Sequence, residues 1–243
     1  MPDSPVRERG VGPESVPDGL TLAAFNTDCA EAALDALGAT LGRYLDIDDV
    51  TVGTTLTDEQ PEEFAVLHDD VLVGGALVHP GRGDDPIGEV ASPFRPSDTL
   101  FLAGYGDRAG LRSLSNRIET LAWRAGAGRL YAAGQQRFAS MDDQWGIYAD
   151  AAEAGCEVHV FEEPGYVPGG DGDRFVVHGE RHSLAGTWLV VFDGAGNDAA
   201  KAAMLAEERE PDSYYGVWTV VPELVDVILK RAVEPVAGDR REK

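Results

Sequence analysis

The chain has 243 residues, 43% of them hydrophobic, which is enough to build the core of one sizeable domain or two small ones. Its 43 acidic residues outnumber 20 basic ones and give a formal net charge of −23. That balance argues against direct nucleic-acid binding, which needs clustered lysine and arginine to neutralise phosphates, and no apolar run approaches the roughly 20 residues that span a bilayer.

The excess of acidic residues also indicates the salt concentration in which the protein works. Lysine occurs only at Lys201, Lys230 and Lys243. At molar salt the Debye length falls to about 3 Å, so that repulsion among surface carboxylates is screened. We therefore expect a halophile's cytosol, with an ordinary acidic mesophilic protein as the alternative. The first residues lack the apolar segment of a signal peptide, which also favours a cytoplasmic location.

The N-terminal third predicts a short sheet. Residues 1–19 are rich in proline, glycine and charge and are expected to form a disordered acidic tail. The run 20–26 reads as a strand, and Asp28 with Glu31 has the spacing of a capping box that opens a helix. Two strand-like stretches follow, VTVGTTL and EEFAVLHDDVLVGGALV, the second broken into a hairpin. The turn-rich stretch 79–98 is expected to be a flexible connection without a core contribution.

The middle of the chain predicts a strand, helix, strand unit. Apolar residues from Leu111 to Ala125 follow helical spacing, and Gly126 with Gly128 ends that helix. GRLYAAGQQ is the next strand, a helix opens near Ser140, and CEVHVFEEP follows as a strand expected to pair in parallel. A second flexible loop is expected at 164–174.

The C-terminal third predicts a buried strand followed by a hairpin. TWLVVFDG is apolar at successive positions, as in a strand covered on both faces. The piece 200–210 has helix propensity, but a strand there could form a hairpin with YYGVWTVV, and the strand is favoured. Pro222 suits the first turn of a last helix, and 236–243 is expected to be a mobile tail. The fold class is α/β, with a mixed, partly antiparallel central sheet and helices packed on it.

An ordered set of segments resembles a known family. WLVVFDGAG, AAMLAEERE, YYGVWT and PELVD resemble the C-terminal part of DICT sensory domains, particularly the stand-alone versions of halophilic archaea. SNRIETLAWRAGAGRLYAAGQQ and GCEVHVFEEP resemble the middle section of that family, and FNTD resembles the end of its first strand. The resemblance covers residues 20–235 and implies a signal-input module with no assigned chemistry. From this resemblance we expect a sensory function, and we expect no output domain in this chain.

Asp193 is the strongest candidate for chemistry, because it ends the buried strand TWLVVF and precedes a glycine loop. A phosphoacceptor of the receiver type would also need an acidic pair after the first strand, where FNTDC offers only Asp28. An Asx turn or helix cap in DGAGND is the favoured interpretation. A phosphorylated switch or a cryptic hydrolase using Asp193 is the alternative.

Other catalytic and metal patterns are weak. His178 and His182 in HGERH have a spacing that ligates metal only on a helix, and the preceding FVV favours a strand, so no metal site is predicted. The glycine loops match neither a P-loop nor a dinucleotide fingerprint. Cys29 and Cys156 lack a partner motif and are interpreted as small buried hydrophobic residues. No enzyme activity and no cofactor are predicted.

Aromatic residues in the middle and C-terminal segments either fill the core or line an apolar ligand pocket. For the second case the candidate ligand-binding residues are Arg117, Arg124, Gln135, Trp188 and Trp218. The function expected from the sequence is a domain that binds a small molecule, or a signalling protein such as a kinase, and relays a conformational signal.

Overall fold

A computed structural model describes residues 20–45, 50–56, 63–68, 72–80, 98–134, 141–162, 175–179, 184 and 186–233. The described residues form eleven strands and four α-helices. The strands are β1 (Leu20–Phe25), β2 (Val50–Thr55), β3 (Phe64–His68), β4 (Leu72–Val78), β5 (Thr99–Tyr105), β6 (Arg129–Ala133), β7 (Glu157–Glu162), β8 (Val176–Gly179), β9 (Thr187–Phe192), β10 (Ala202–Glu210) and β11 (Ser213–Thr219). The helices are α1 (Glu31–Tyr44), α2 (Arg108–Ala125), α3 (Met141–Glu153) and α4 (Pro222–Ile228), and α4 continues into a π-helical turn over Leu229–Val233.

All eleven strands belong to one mixed sheet, in the order β2-β1-β3-β4-β5-β11-β10-β9-β6-β7-β8. The pairs β1–β2, β4–β5, β6–β7 and β7–β8 are parallel, and the other neighbours are antiparallel. It follows that β3, β9 and β11 run against the remaining eight strands. The carboxyl ends of those eight strands therefore lie along one edge of the sheet.

Helices cover both faces of the sheet and bury two separate cores. On one face, Leu34, Leu37 and Leu41 of α1 pack with Leu224 and Ile228 of α4. The opposite face buries the apolar side of α2 and α3 against the alternate residues of the same strands. This arrangement confirms the predicted fold class, and it explains why every residue of β9 is buried.

Several sequence-based predictions are confirmed. Most of the piece 200–210 is strand β10, which forms a hairpin with β11, and β6 pairs with β7 in parallel through α3. Gly126 ends α2 in the left-handed conformation (φ 57°), which glycine adopts without a steric penalty. None of the described helices is both long and apolar enough to cross a membrane.

Three local predictions are corrected. The expected capping box does not form, because α1 begins at Glu31 without a side-chain cap and the Asp28 carboxylate lies toward His79, 3.6 Å away. His79 lies in the stretch expected to make no core contribution, yet it is buried. The charged run 207–210 near the end of β10 is typical of an exposed, solvated hairpin end, with a charged site as the alternative, and the sequence predicts the exposed end; Glu207 is nevertheless only 8% exposed.

The predicted tails 1–19 and 236–243 lie outside the described residues, as do the loop 164–174 and most of the loop 79–98.

Candidate functional site

A cleft of about 330 Å³ lies between α2 and α3. It lies on the outer side of the second core, which is the cluster that these two helices bury against the sheet. It is lined by Asn116, Glu119, Thr120, Trp123, Ile147 and Asp150. The volume is at the lower end of the range typical of small-molecule sites.

The helical period of α2 creates this cleft. Leu111, Leu114, Ile118 and Ala122 form the stripe that packs on the sheet. Positions three to four residues apart share a face of a helix, so Asn116, Glu119 and Trp123 form a neighbouring stripe that is turned toward α3. The same helix is therefore anchored to the sheet by one side and open to a ligand on another.

The cleft combines an aromatic ring with acidic groups. Trp123 is 51% exposed, whereas Glu119 is 1% exposed and accepts a hydrogen bond of 3.3 Å from Ser115 Oγ. Asp150 adds a second, exposed carboxylate from α3. Of the described residues that line the cleft, two carry carboxylates and none carries a basic group. An indole face beside carboxylates is a favourable site for an organic cation.

Four of the five residues predicted to bind a ligand are described, and they lie outside the cleft. Trp188 and Trp218 are 1% and 0% exposed and fill the second core. The Arg117 guanidinium lies 5.5 Å from the centre of the Trp218 ring, so the structure brings those two residues together. Arg124 is exposed near the end of α2, and Gln135 lies outside the described residues. Arg117, Arg124, Trp188 and Trp218 do not line the cleft.

Asp193 caps the turn that follows β9, as the Asx-turn interpretation predicted. Its Oδ1 accepts hydrogen bonds from the backbone N–H groups of Ala195 and Arg129, and its Oδ2 accepts from Arg129 Nε. Burial alone would raise the pKa of Asp193, but these hydrogen bonds and the Arg129 charge outweigh it and hold the pKa below its usual value. The carboxylate is therefore ionised and engaged in fixing the backbone.

His178 lies on β8, so the strand predicted for FVV is confirmed, and His182 lies outside the described residues. His178 Nε2 is 3.0 Å from Nδ1 of His159 on β7, and the two rings stack with Phe161 and Tyr131. This pair bridges two parallel strands inside an aromatic stack.

Neither cysteine has the character of an activated nucleophile. Burial, with a smaller contribution from nearby carboxylates, raises the pKa of both Cys29 and Cys156 to about 11. Cys156 is buried as predicted, but Cys29 is only half-buried.

Sequence reasoning missed Glu119 and Asp150 as members of a site. Glu119 lies one turn after Ser115, and helical spacing places both residues at the border of the buried stripe. Trp123 follows Ala122 but falls outside the stripe, and a tryptophan in such a position is a signal of an exposed contact surface. The facing residues Ile147 and Asp150 could not be paired with them before the packing of α3 was known.

Comparisons with known proteins do not identify a family. No family model matches the chain, and no curated protein matches it. Among solved structures, a polyphosphate kinase from Porphyromonas gingivalis is similar, with 13% sequence identity and a TM-score of 0.35. The match covers 88% of this chain and 46% of that protein, so this chain spans less than half of its length. A likeness at this level carries no argument about function.

Proposed function

We propose that the protein is a cytoplasmic signal-input domain that binds a small organic cation in the cleft between α2 and α3 and relays a conformational signal without catalysis. The observation that carries the proposal is the pairing of an exposed indole, Trp123, with a buried carboxylate, Glu119, in one cleft. The resemblance to DICT sensory domains supports the sensory part of the proposal.

The chemistry of the cleft favours a cation over an anion or an apolar ligand. Glu119 and Asp150 bring two carboxyl groups to one small volume, and a bound cation would favour the ionised form of both. Attraction between a cation and an indole face contributes about 0.5–2 kcal/mol, more where water is excluded. Both effects act on the same ligand, whereas an anion would be repelled by both carboxylates.

Because α2 contacts both the cleft and the sheet, its packing can couple ligand binding to a conformational change. Its cleft face would contact the ligand, while Arg117 on the same helix lies over Trp218 of β11. Leu114 and Ile118 fix α2 to the sheet. A ligand that binds one position of α2 more tightly than another would therefore shift the packing between helix and sheet. A signalling protein such as a kinase is the proposed recipient of that shift.

The proposed cytoplasmic location is supported by the cysteines. Cys29 and Cys156 are both free thiols, which suits a reducing compartment.

The test is a thermal-shift and calorimetry screen of organic cations in molar KCl, with tetramethylammonium, choline, putrescine, spermidine and arginine as probes. A ligand present at 100 times its Kd stabilises the folded state by about 2.7 kcal/mol, which corresponds to a Tm rise of roughly 5–10 °C in a domain of this size. The rise should disappear in Trp123→Ala and weaken in Asp150→Asn. It should persist in Leu56→Ala, which truncates an exposed apolar side chain away from the cleft.

Arg124→Ala distinguishes binding in the cleft from binding at the residues predicted from the sequence. Because Arg124 does not line the cleft, this substitution should leave binding unchanged. The proposal is wrong if no cation in the panel shifts the Tm, or if the shift is the same in Trp123→Ala as in the original chain.

A further inference from the structure

Three potential metal ligands meet at the carboxyl edge of the sheet, far along the chain from the α2–α3 cleft. Asp28 follows β1, His79 follows β4, and Glu63 precedes β3. Their ligand atoms, two carboxylate oxygens and one imidazole nitrogen, all lie within 4.8 Å of one another. We propose that Asp28, Glu63 and His79 bind one divalent transition-metal ion.

The distances between the ligand atoms suit a common metal ion. His79 Nε2 lies 3.0 Å from Glu63 Oε2 and 3.6 Å from Asp28 Oδ1. Bond lengths of about 2.0–2.2 Å to zinc place neighbouring ligand atoms about 2.9 Å apart at right angles and about 3.4 Å apart in a tetrahedron. The two distances from His79 lie around those values, and the Asp28 and Glu63 oxygens lie within 4.8 Å of each other.

The topology of the sheet holds the three residues in place. The strand β3 lies between β1 and β4 and runs against both, so its start lies beside their ends. Phe25 and Phe64 are paired in register, and their rings stack 4.6 Å apart next to the cluster. The ligands therefore project from a packed part of the sheet.

The surroundings orient the ligand atoms. The backbone N–H of Asp28 donates to Glu63 Oε1 at 3.2 Å, which turns Oε2 toward His79. The His79 side chain is only 4% exposed, whereas the Asp28 side chain is 84% exposed and lies on the solvent side of the cluster. Support of this kind around a metal ligand commonly changes metal affinity by about 10–100-fold.

The donor set specifies the class of metal. One imidazole and two carboxylates form a mixed nitrogen and oxygen set, which suits Zn²⁺, Co²⁺, Mn²⁺ or Fe²⁺ better than the all-oxygen site typical of Ca²⁺. A dication would also neutralise the two carboxylates. Three protein ligands leave at least one coordination position for water or another ligand.

A hydrogen-bonded His79–Glu63 pair without a metal is the competing interpretation, and it makes a different prediction for Asp28. In that interpretation an exposed carboxylate adds little, so its removal would not change metal binding. If it is a ligand, its neutralisation weakens binding directly.

The experiment is a titration of the full chain, stripped with a chelator and dialysed into molar KCl, with Zn²⁺ by calorimetry and with Co²⁺ by visible absorption. We expect one equivalent of saturable binding and a Co²⁺ spectrum that differs from that of the hydrated ion. Asp28→Asn should weaken binding by at least about tenfold. Asp35→Asn, an exposed aspartate on α1, is the matched control and should leave the affinity unchanged.

Glu63→Gln and His79→Gln should weaken binding further, and circular dichroism and Tm report whether each variant folds. Because the Asp28 side chain is largely exposed, Asp28→Asn keeps the test decisive if either of the other two variants fails to fold. Absence of saturable binding, or several weak equivalents that Asp28→Asn and Asp35→Asn reduce equally, would overturn the proposal.

Discussion

Arg129 holds Asp193 by two hydrogen bonds, one from its backbone N–H to Oδ1 and one from its Nε to Oδ2, each 2.9 Å long. The two residues are 64 positions apart in the chain, so the contact fastens the start of β6 to the end of β9. A Cβ atom at Gly128 would lie 2.5 Å from Oδ1, and that residue has a φ of 80°. The glycine before Arg129 therefore allows the close approach of the carboxylate.

Replacing Asp193 should lower the free energy of unfolding, and by more in Asp193→Ala than in Asp193→Asn. Asp193→Ala removes the cap to Ala195 and both contacts with Arg129, and we expect a loss of about 2 kcal/mol, because Arg129 is half exposed and its ion pair is partly screened. Asp193→Asn retains an acceptor for the cap but no charge and should lose about 1 kcal/mol. Thermal unfolding in molar KCl would show falls in Tm of roughly 4–8 °C and 2–4 °C. A Tm for Asp193→Ala equal to that of the original chain would contradict this role.

The stabilisation by Asp193 should depend on pH with a definite sign. Because the folded pKa of Asp193 lies below its usual value, the stability that its charge contributes is present above the unfolded pKa and is lost as the pH falls through the folded pKa. The difference in unfolding free energy between the original chain and Asp193→Asn should thus be constant near neutrality and shrink below about pH 4. Chemical denaturation at a series of pH values measures it, and a difference that grows on acidification would contradict the assignment.

Asp193 should not accept a phosphoryl group. Both of its oxygens are occupied by N–H donors that a phosphorylated side chain would have to displace. Incubation with acetyl phosphate in high salt, followed by intact mass spectrometry, should leave the mass unchanged. A mass increase of one phosphoryl group that is absent in Asp193→Asn would instead support the phosphorylated switch.

The individual strands and helices could be predicted from the sequence more readily than the order in which the strands pair in the sheet. The strand at 200–210 could be predicted against its helix propensity because a turn and a second apolar stretch follow it. The doubly covered strand β9 could be predicted from its unbroken apolar run. Such elements depend on a local pattern, because the spacing of apolar residues within a short window distinguishes a strand from a helix.

The pairing of distant segments could not be predicted in the same way. No local signal indicates that β9 lies between β10 and β6, or that Glu63 lies beside His79 and Asp28. Such contacts depend on strand order and register, which many residues determine together. The resemblance to DICT domains stays a prediction.

The acidic composition predicts a dependence on salt. With a formal net charge of −23, lowering KCl from molar concentration to about 0.1 M lengthens the Debye length from about 3 Å to about 10 Å and restores repulsion across the surface. The Tm should therefore fall as salt is removed. NaCl at equal ionic strength should give the same dependence, because screening does not depend on the identity of the cation. A Tm independent of salt would favour an ordinary acidic mesophilic protein.

Glu207 at the end of β10 joins the sheet to α1. Its carboxylate accepts hydrogen bonds from Arg43 at 2.7 Å, Thr40 at 3.0 Å and Arg209 at 3.2 Å. Thr40 and Arg43 precede it by 167 and 164 residues, so no local pattern around Glu207 could indicate its burial.

Removing the Glu207 side chain should destabilise the protein more than removing other acidic groups of the same strand. Glu207→Ala leaves the buried Thr40 hydroxyl and two guanidinium groups without this acceptor, and we expect a loss of about 2–3 kcal/mol, limited by the partial exposure of Arg43. Glu210→Ala, at an exposed position of β10, is the matched control and should change stability by less than about 0.5 kcal/mol. Denaturant unfolding in molar KCl measures both variants. Equal losses in the two would mean that the carboxylate at 207 contributes no more than a solvated surface charge, despite its burial.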